Sequence, residues 1–166
     1  MFLAYSIIAA AAINQANLPA IYRSPSHGFS ARLGDNVKVE SKPLNWKTGQ
    51  VFATVYSASR GPSYFQIAVT PIPESMRDNR STSQILAAAR DGTQTMDRLK
   101  IDAEQDLFVD GSPAKRFMVR IPDGPVTVQM IVLRGEHLIH ILAVTPPDKT
   151  ADGVAFVKSF QILNRN

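Results

Sequence analysis

The sequence predicts an α+β domain, an antiparallel sheet with helices on both faces that makes a three-layer alpha-beta-alpha sandwich. Three observations carry that expectation. The stretch 113–145 (PAKRFMVRIPDGPVTVQMIVLRGEHLIHILAVT) reads as three consecutive strands joined by turns at Pro122-Asp123-Gly124-Pro125 and Arg134-Gly135-Glu136. Both sides of these strands are apolar, so neither face of the sheet can lie open to water. Two amphipathic segments, one before this stretch and one after it, supply a helix for each face.

Pairing Ile121 with Val126 and Arg134 with His137 assigns every side chain in the meander to a face by the period of two. Phe117, Val119, Val128, Met130 and Ile141 then share one face. Met118, Ile131, Leu138 and Leu142 share the other, with Arg116, Arg120, Thr127, Gln129 and His140 among them.

Taken in order, the chain opens with an uncharged apolar run, Phe2–Ile13, rich in alanine. It has the character of a signal-peptide core, with residues 1–16 as the segment removed and Ala10-Ala11-Ala12 suited to cleavage. Retention as an N-terminal helix is the alternative. A membrane anchor is the weakest reading, because as a helix the run reaches about 18 Å against a bilayer core of about 30 Å. Residues 17–27, with Pro19 and Pro25, read as a linker, and 28–163 as a single domain.

Within that domain GFSARL (28–33) and Val37–Lys42 are short strands. Leu44–Ser57 is a hairpin turning at Lys47-Thr48-Gly49, and Ser63–Thr70 alternates as a strand. Pro71–Thr82 is a polar loop. Ser81-x-x-Gln84 is a capping box opening a helix over Thr82–Met96, with Ile85, Leu86, Ala89 and Gly92 on one side. Gly92 on that side would allow close approach to the sheet. Leu99–Val109 is a strand turning at Asp110-Gly111 into the meander. Pro146-Pro147 ends the sheet, and Thr150 caps a last helix near Ala151–Phe160 with Gly153, Phe156 and Val157 inward.

The length, 166 residues, fits one domain with a full core. The net charge is +4, but the 18 Lys and Arg are scattered rather than blocked, which argues against a nucleic-acid binder. The chain has no cysteine, which excludes disulfides, thiolate metal sites and thiol catalysis.

GFSARL at the start, AAARDG on the helix, DGSPAKRF entering the meander and AFVKSFQIL at the end together resemble the PsbP-like alpha-beta-alpha sandwich superfamily. The resemblance runs from Gly28 to Leu163 and includes short bacterial envelope domains similar to DcrB and LpqN. It implies the same layered fold, and it brings no catalytic motif and no cofactor. Where many members carry a Pro-Gly turn after the first strand, this chain has Gly34-Asp35.

No chemical constellation stands out. His137 and His140 are three apart on one strand and so point to opposite faces, unable to grip one metal ion. Ser112 stands in DGSPA, which is not a nucleophile elbow, and no Gly-rich phosphate loop occurs. His140, flanked by apolar neighbours, reads as a buried hydrogen-bonded histidine. The feature most suggestive of a site is the polar set Arg116, Arg120, Gln129 and His140 within an apolar face. Two arginines there would hold a carboxylate or phosphate group; the plainer alternative is that their stems merely shield the sheet. The resulting expectation is a non-enzymatic binding or accessory protein of the bacterial cell envelope, periplasmic or secreted, whose partner is a protein or a small anionic ligand. An intracellular interaction module or chaperone-like adaptor, and a small hydrolase, stand as alternatives.

Overall fold

The computed structural model describes residues 18–46, 49–93 and 100–163. The apolar run Phe2–Ile13 and the signal-peptide expectation lie outside them. Seven strands form the main sheet: β3 (Lys38–Trp46), β4 (Gly49–Arg60), β5 (Ser63–Pro71), β6 (Lys100–Val109), β7 (Ser112–Arg120), β8 (Val126–Arg134) and β9 (His137–Thr145). Their spatial order is β3-β4-β5-β9-β8-β7-β6, every pair antiparallel. Three helices accompany it: α1 (Glu74–Arg77), α2 (Thr82–Gly92) and α3 (Thr150–Lys158). A small second sheet joins β2 (Phe29–Ala31) to β1 (Tyr22–Ser24) on one side and β10 (Gln161–Ile162) on the other. The fold is therefore α+β and dominated by antiparallel sheet. β1 lies inside the segment 17–27 that reads as a linker in the sequence; its short, proline-flanked run finds a partner only once β2 is in place.

The core divides into two principal clusters drawn from alternate residues of the same strands. One contains Ile67, Met130 and Ile141 with Phe156 and Val157 of α3 and Phe29 of β2. The other contains Phe117, Val119, Ile131 and Leu138 with Ile85 and Leu86 of α2. α3 presses closest: a Cβ on Gly153 would lie 3.3 Å from Ala143, Thr145 and Val128 side-chain carbons, so glycine sets the helix-to-sheet distance here. Thr150 is the first helical residue rather than the cap. Its hydroxyl donates to the Pro147 carbonyl at 2.8 Å, closing the short 3-10 turn that feeds the helix.

The second meander turn pairs Arg134 with His137, as the sequence predicts. The first differs by one residue: Arg120, not Ile121, lies opposite Val126. Ile121 N–H donates to the Pro125 carbonyl (3.3 Å) and Gly124 N–H to the Ile121 carbonyl (3.0 Å), so the chain reverses through Pro122-Asp123-Gly124. Asp123 takes a positive φ of 54° to do so. A one-residue change of register turns every side chain of the strand over. Phe117 and Val119 consequently join Ile131 and Leu138 under α2, while Arg116 and Met118 lie opposite Met130 and Val128 on the α3 side. The expectation that Phe117 and Ile141 share a face is overturned by this loop.

The small sheet is fastened to the large one by polar contacts. The Arg134 guanidinium donates to the carbonyls of His27 (3.2 Å), Gly28 (2.7 Å) and Leu163 (3.2 Å), gathering both of its chain segments at the β8–β9 turn. Gly28 has φ +61°, and a Cβ there would strike that guanidinium at 2.7 Å. Asp110, in the β6–β7 turn, accepts from Ile162 N–H at 2.8 Å. At the outer edges, β3 carries Lys38, Glu40 and Lys42 in ion pairs and Pro43, and β6 carries a bulge between Asp102 and Gln105.

Phe117→Ala tests the corrected register. The ring is 1% exposed beneath α2, and its loss should cost about 3–5 kcal/mol, measured by chemical denaturation. Coupling in a double-mutant cycle should appear with Ile85→Ala on α2 and not with Phe156→Ala on α3.

Candidate functional site

α2 begins with the capping box that its sequence encodes. Ser81 Oγ accepts from Gln84 N–H (3.3 Å), and Gln84 Oε1 accepts from Ser81 N–H (2.8 Å). At its far end Arg90 donates to Glu104 at 2.7 Å, and Lys115 donates to Glu104 (2.8 Å) and Asp106 (2.7 Å). The β6 bulge, with Ala103 at φ 54°, turns Glu104 toward this junction. Lys115 and then Arg90 hydrogen bonds hold the Glu104 carboxyl below its ordinary range. The helix is thus capped at its start and tied to β6 at its end.

Between those ties its inward side is small. Ala88, Ala89 and Gly92 face the sheet across a recess of about 580 Å3. Among the described residues Gly92 meets nothing within 4 Å at its Cβ position, so it leaves space where the sequence suggested close approach. The floor consists of Ile131, Leu138, Leu142 and Val144; Met76 of α1 and Leu44 of β3 form the rim. Thr127, Gln129 and His140 make a polar strip across this floor. Gln129 Nε2 donates to Thr127 Oγ1 at 3.0 Å. His140 Nε2 and Gln129 Oε1 are 2.9 Å apart, and because that oxygen only accepts, Nε2 carries the proton. The other ring nitrogen is then an acceptor. Burial pulls the His140 pKa down to about 4, so the imidazole is neutral at physiological pH.

Of the four sequence-predicted site residues, the structure brings Gln129 and His140 together and takes Arg116 and Arg120 away. Both arginines lie across the sheet because of the Pro122–Gly124 reversal. Arg116 donates to Gln105 at 2.7 Å. Arg120 makes an exposed ion pair with Asp102 at 3.3 Å, an interaction worth at most about 1 kcal/mol. Neither converges with His140 on a common anion. The recess walls Ala88, Leu44 and Met76 were not signalled by the sequence, since small or isolated apolar residues have no pattern of their own. Among the described residues no group of three or more His, Asp or Glu could hold a metal ion, and no helix is long and apolar enough to cross a membrane.

No protein family and no curated protein matches the chain. Solved structures do. The solution structure of cyanobacterial PsbP from Synechocystis superimposes with a TM-score of 0.54 at 12% identity, over 86% of this chain and 91% of that one. A Pseudomonas aeruginosa protein of unknown function, PA94, covers 72% of this chain and 92% of its own at 10% identity, with a TM-score of 0.45. The chain has the PsbP-like fold.

The histidine sets a pH dependence. Its native pKa of about 4 lies below the ordinary 6.5, so between those values the unfolded chain binds the extra proton and stability falls as pH falls. The contribution is complete above about pH 6.5 and lost by about pH 4, amounting to at most roughly 3 kcal/mol. Urea denaturation at pH 7 and pH 4.5 should show His140→Gln losing less stability on acidification than the wild type. Parallel losses would refute the assignment.

Proposed function

We propose that the protein is a non-catalytic accessory protein of the bacterial cell envelope that binds a neutral, largely apolar small molecule beneath α2. In this reading the sheet is the middle layer of a sandwich, α2 and α3 are the outer layers, and the ligand occupies the gap under the looser helix. The observation that carries it is the recess itself: about 580 Å3, apolar on most sides, with three hydrogen-bonding side chains on one strip of its floor. Ligand pockets have that size and make-up. The neutral imidazole of His140 favours an uncharged hydroxyl or amide over a carboxylate, and among the described residues no arginine or lysine lines the recess to hold an anion. The absence of a carboxylate along the described lining supports a binding role over acid–base catalysis.

Gly92→Leu tests the site without disturbing the fold, because the position is helical, open at its Cβ, and costs about 1 kcal/mol as glycine. The wild type should bind 1-decanol more tightly than decanoate in a calorimetric titration. Gly92→Leu should keep or raise the melting temperature and lose that binding. Unchanged binding in Gly92→Leu would place the alcohol elsewhere, and a preference for decanoate would restore the anionic-ligand reading.

The envelope assignment draws on the sequence of Phe2–Ile13 and is read from the native cell. The mature chain should be found in the periplasmic or secreted fraction with its N-terminus near Ile13 or Asn17. A cytoplasmic chain starting at Met1 favours the intracellular adaptor.

A further inference from the structure

A second cavity, of about 390 Å3, lies on the other side of the sheet beside α3 and shares no residue with the recess under α2. Its walls are Phe65 and Phe156 with Leu18 and Pro19 at the mouth, and its polar groups are Arg32, Arg60, Lys149, Asp152 and Ser63.

Arg60 and Ser63 lie opposite one another at the β4–β5 turn, so both side chains stand on the α3 side of the sheet. The Arg60 guanidinium is held over the Phe65 ring, its Cζ 3.9 Å from the centroid. It makes no ion pair among the described residues. Burial lowers its pKa from the ordinary value and Asp152 only partly offsets this, the signature of a cation lacking a close counter-charge. Ser63 is 4% exposed, and its hydroxyl has no hydrogen-bond partner among the described residues. A buried hydroxyl left unpaired costs free energy that a ligand atom would recover. Arg32 is positioned by its backbone N–H donating to Ser159 Oγ (3.0 Å) and its guanidinium donating to the Pro19 carbonyl (3.3 Å), which leaves it further donors.

We infer that this cavity is an anion site for a phosphomonoester, with Arg60, Arg32 and Lys149 neutralising the phosphoryl oxygens and the Ser63 hydroxyl donating to one of them. The three cations against the single carboxylate of Asp152 leave two positive charges, the complement of a phosphomonoester dianion. A planar guanidinium presents paired donors to two oxygens of one phosphoryl group. Phe65 and Phe156 give the organic remainder an apolar wall, and the volume exceeds what inorganic phosphate alone would fill. The same headgroup occurs on soluble metabolites and on phosphatidic acid, and the cavity chemistry serves either.

The full chain is titrated by calorimetry and by amide-shift NMR with glycerol 3-phosphate, and with glycerol as the uncharged control. Saturable binding of the phosphate, with shifts at Arg60, Ser63 and Lys149, is expected, and none with glycerol. Arg60→Gln should weaken binding by about tenfold or more. Ser63→Ala should weaken it several-fold while leaving the melting temperature the same or higher, since the substitution removes an unpaired polar atom. That combination separates a ligand contact from a structural role, and it holds even if Arg60→Gln fails to fold. Co-sedimentation with vesicles of phosphatidylcholine containing phosphatidic acid, compared with phosphatidylglycerol, distinguishes the sources: retention on the first alone identifies the lipid, and binding of the soluble ester without retention identifies the metabolite. No saturable binding of either, or undiminished binding in Ser63→Ala and Arg60→Gln, overturns the inference. Gly92→Leu leaves this site intact, so its fate and that of the recess are read independently.

Discussion

Because β8 and β9 pair over their full length, from Val126 opposite Thr145 to Arg134 opposite His137, they form a two-stranded slab with apolar side chains on both sides. Val132 and Ile141 point to one side and Ile131 and Leu138 to the other, all nearly inaccessible. A slab of this kind cannot exist alone in water. Each remaining element is placed by what it packs against: α3 and the small sheet join Met130 and Ile141, α2 joins Ile131 and Leu138, and β5 and β7 pair with the two free edges. Arg134, at the turn of the same hairpin, gathers the chain before β2 and after β10 through backbone carbonyls, so one hairpin supplies the hydrophobic centre and a polar anchor.

How far the sequence reveals this depends on the kind of signal. Alternation and capping are local, and they place most of the main-sheet strands, the Ser81 capping box and the last helix correctly. Which face a strand presents is a parity problem, and parity hangs on one residue in a loop. The Pro122–Pro125 segment contains two prolines and a glycine, all compatible with a reversal through either three or four residues. Ile121 N–H donates to the Pro125 carbonyl, and the chain takes the shorter path. That choice moved Arg116 and Arg120 out of the polar set and left Gln129 and His140 where alternation put them. β1 gave no signal because a three-residue strand has no periodicity to read.

Glycine on a helix face illustrates the same limit. Gly153 and Gly92 both fall on the sheet-facing stripe of their helices, and in sequence they are equivalent. Gly153 meets Ala143, Thr145 and Val128 and draws α3 onto the sheet, whereas Gly92 meets no described neighbour within 4 Å. Arg90, hydrogen-bonded to Glu104 of β6, fixes the last turn of α2, and the small side chains Ala88 and Ala89 leave the recess beneath the helix unfilled. Beneath α2 lies an uncharged strip of Thr127, Gln129 and His140, and beside α3 lie Arg32, Arg60 and Lys149 with Asp152.

The outer strands of the sheet bear on how such a chain behaves at high local concentration. β3 offers its free backbone edge flanked by Lys38, Glu40 and Lys42 and carries a proline at position 43; β6 is interrupted by a bulge among Asp102, Glu104 and Asp106. Both devices discourage a second chain from extending the sheet. Fibrous self-association by strand addition is disfavoured at either margin, which favours recognition through the broad surfaces, where side chains rather than backbone amides meet whatever the protein holds.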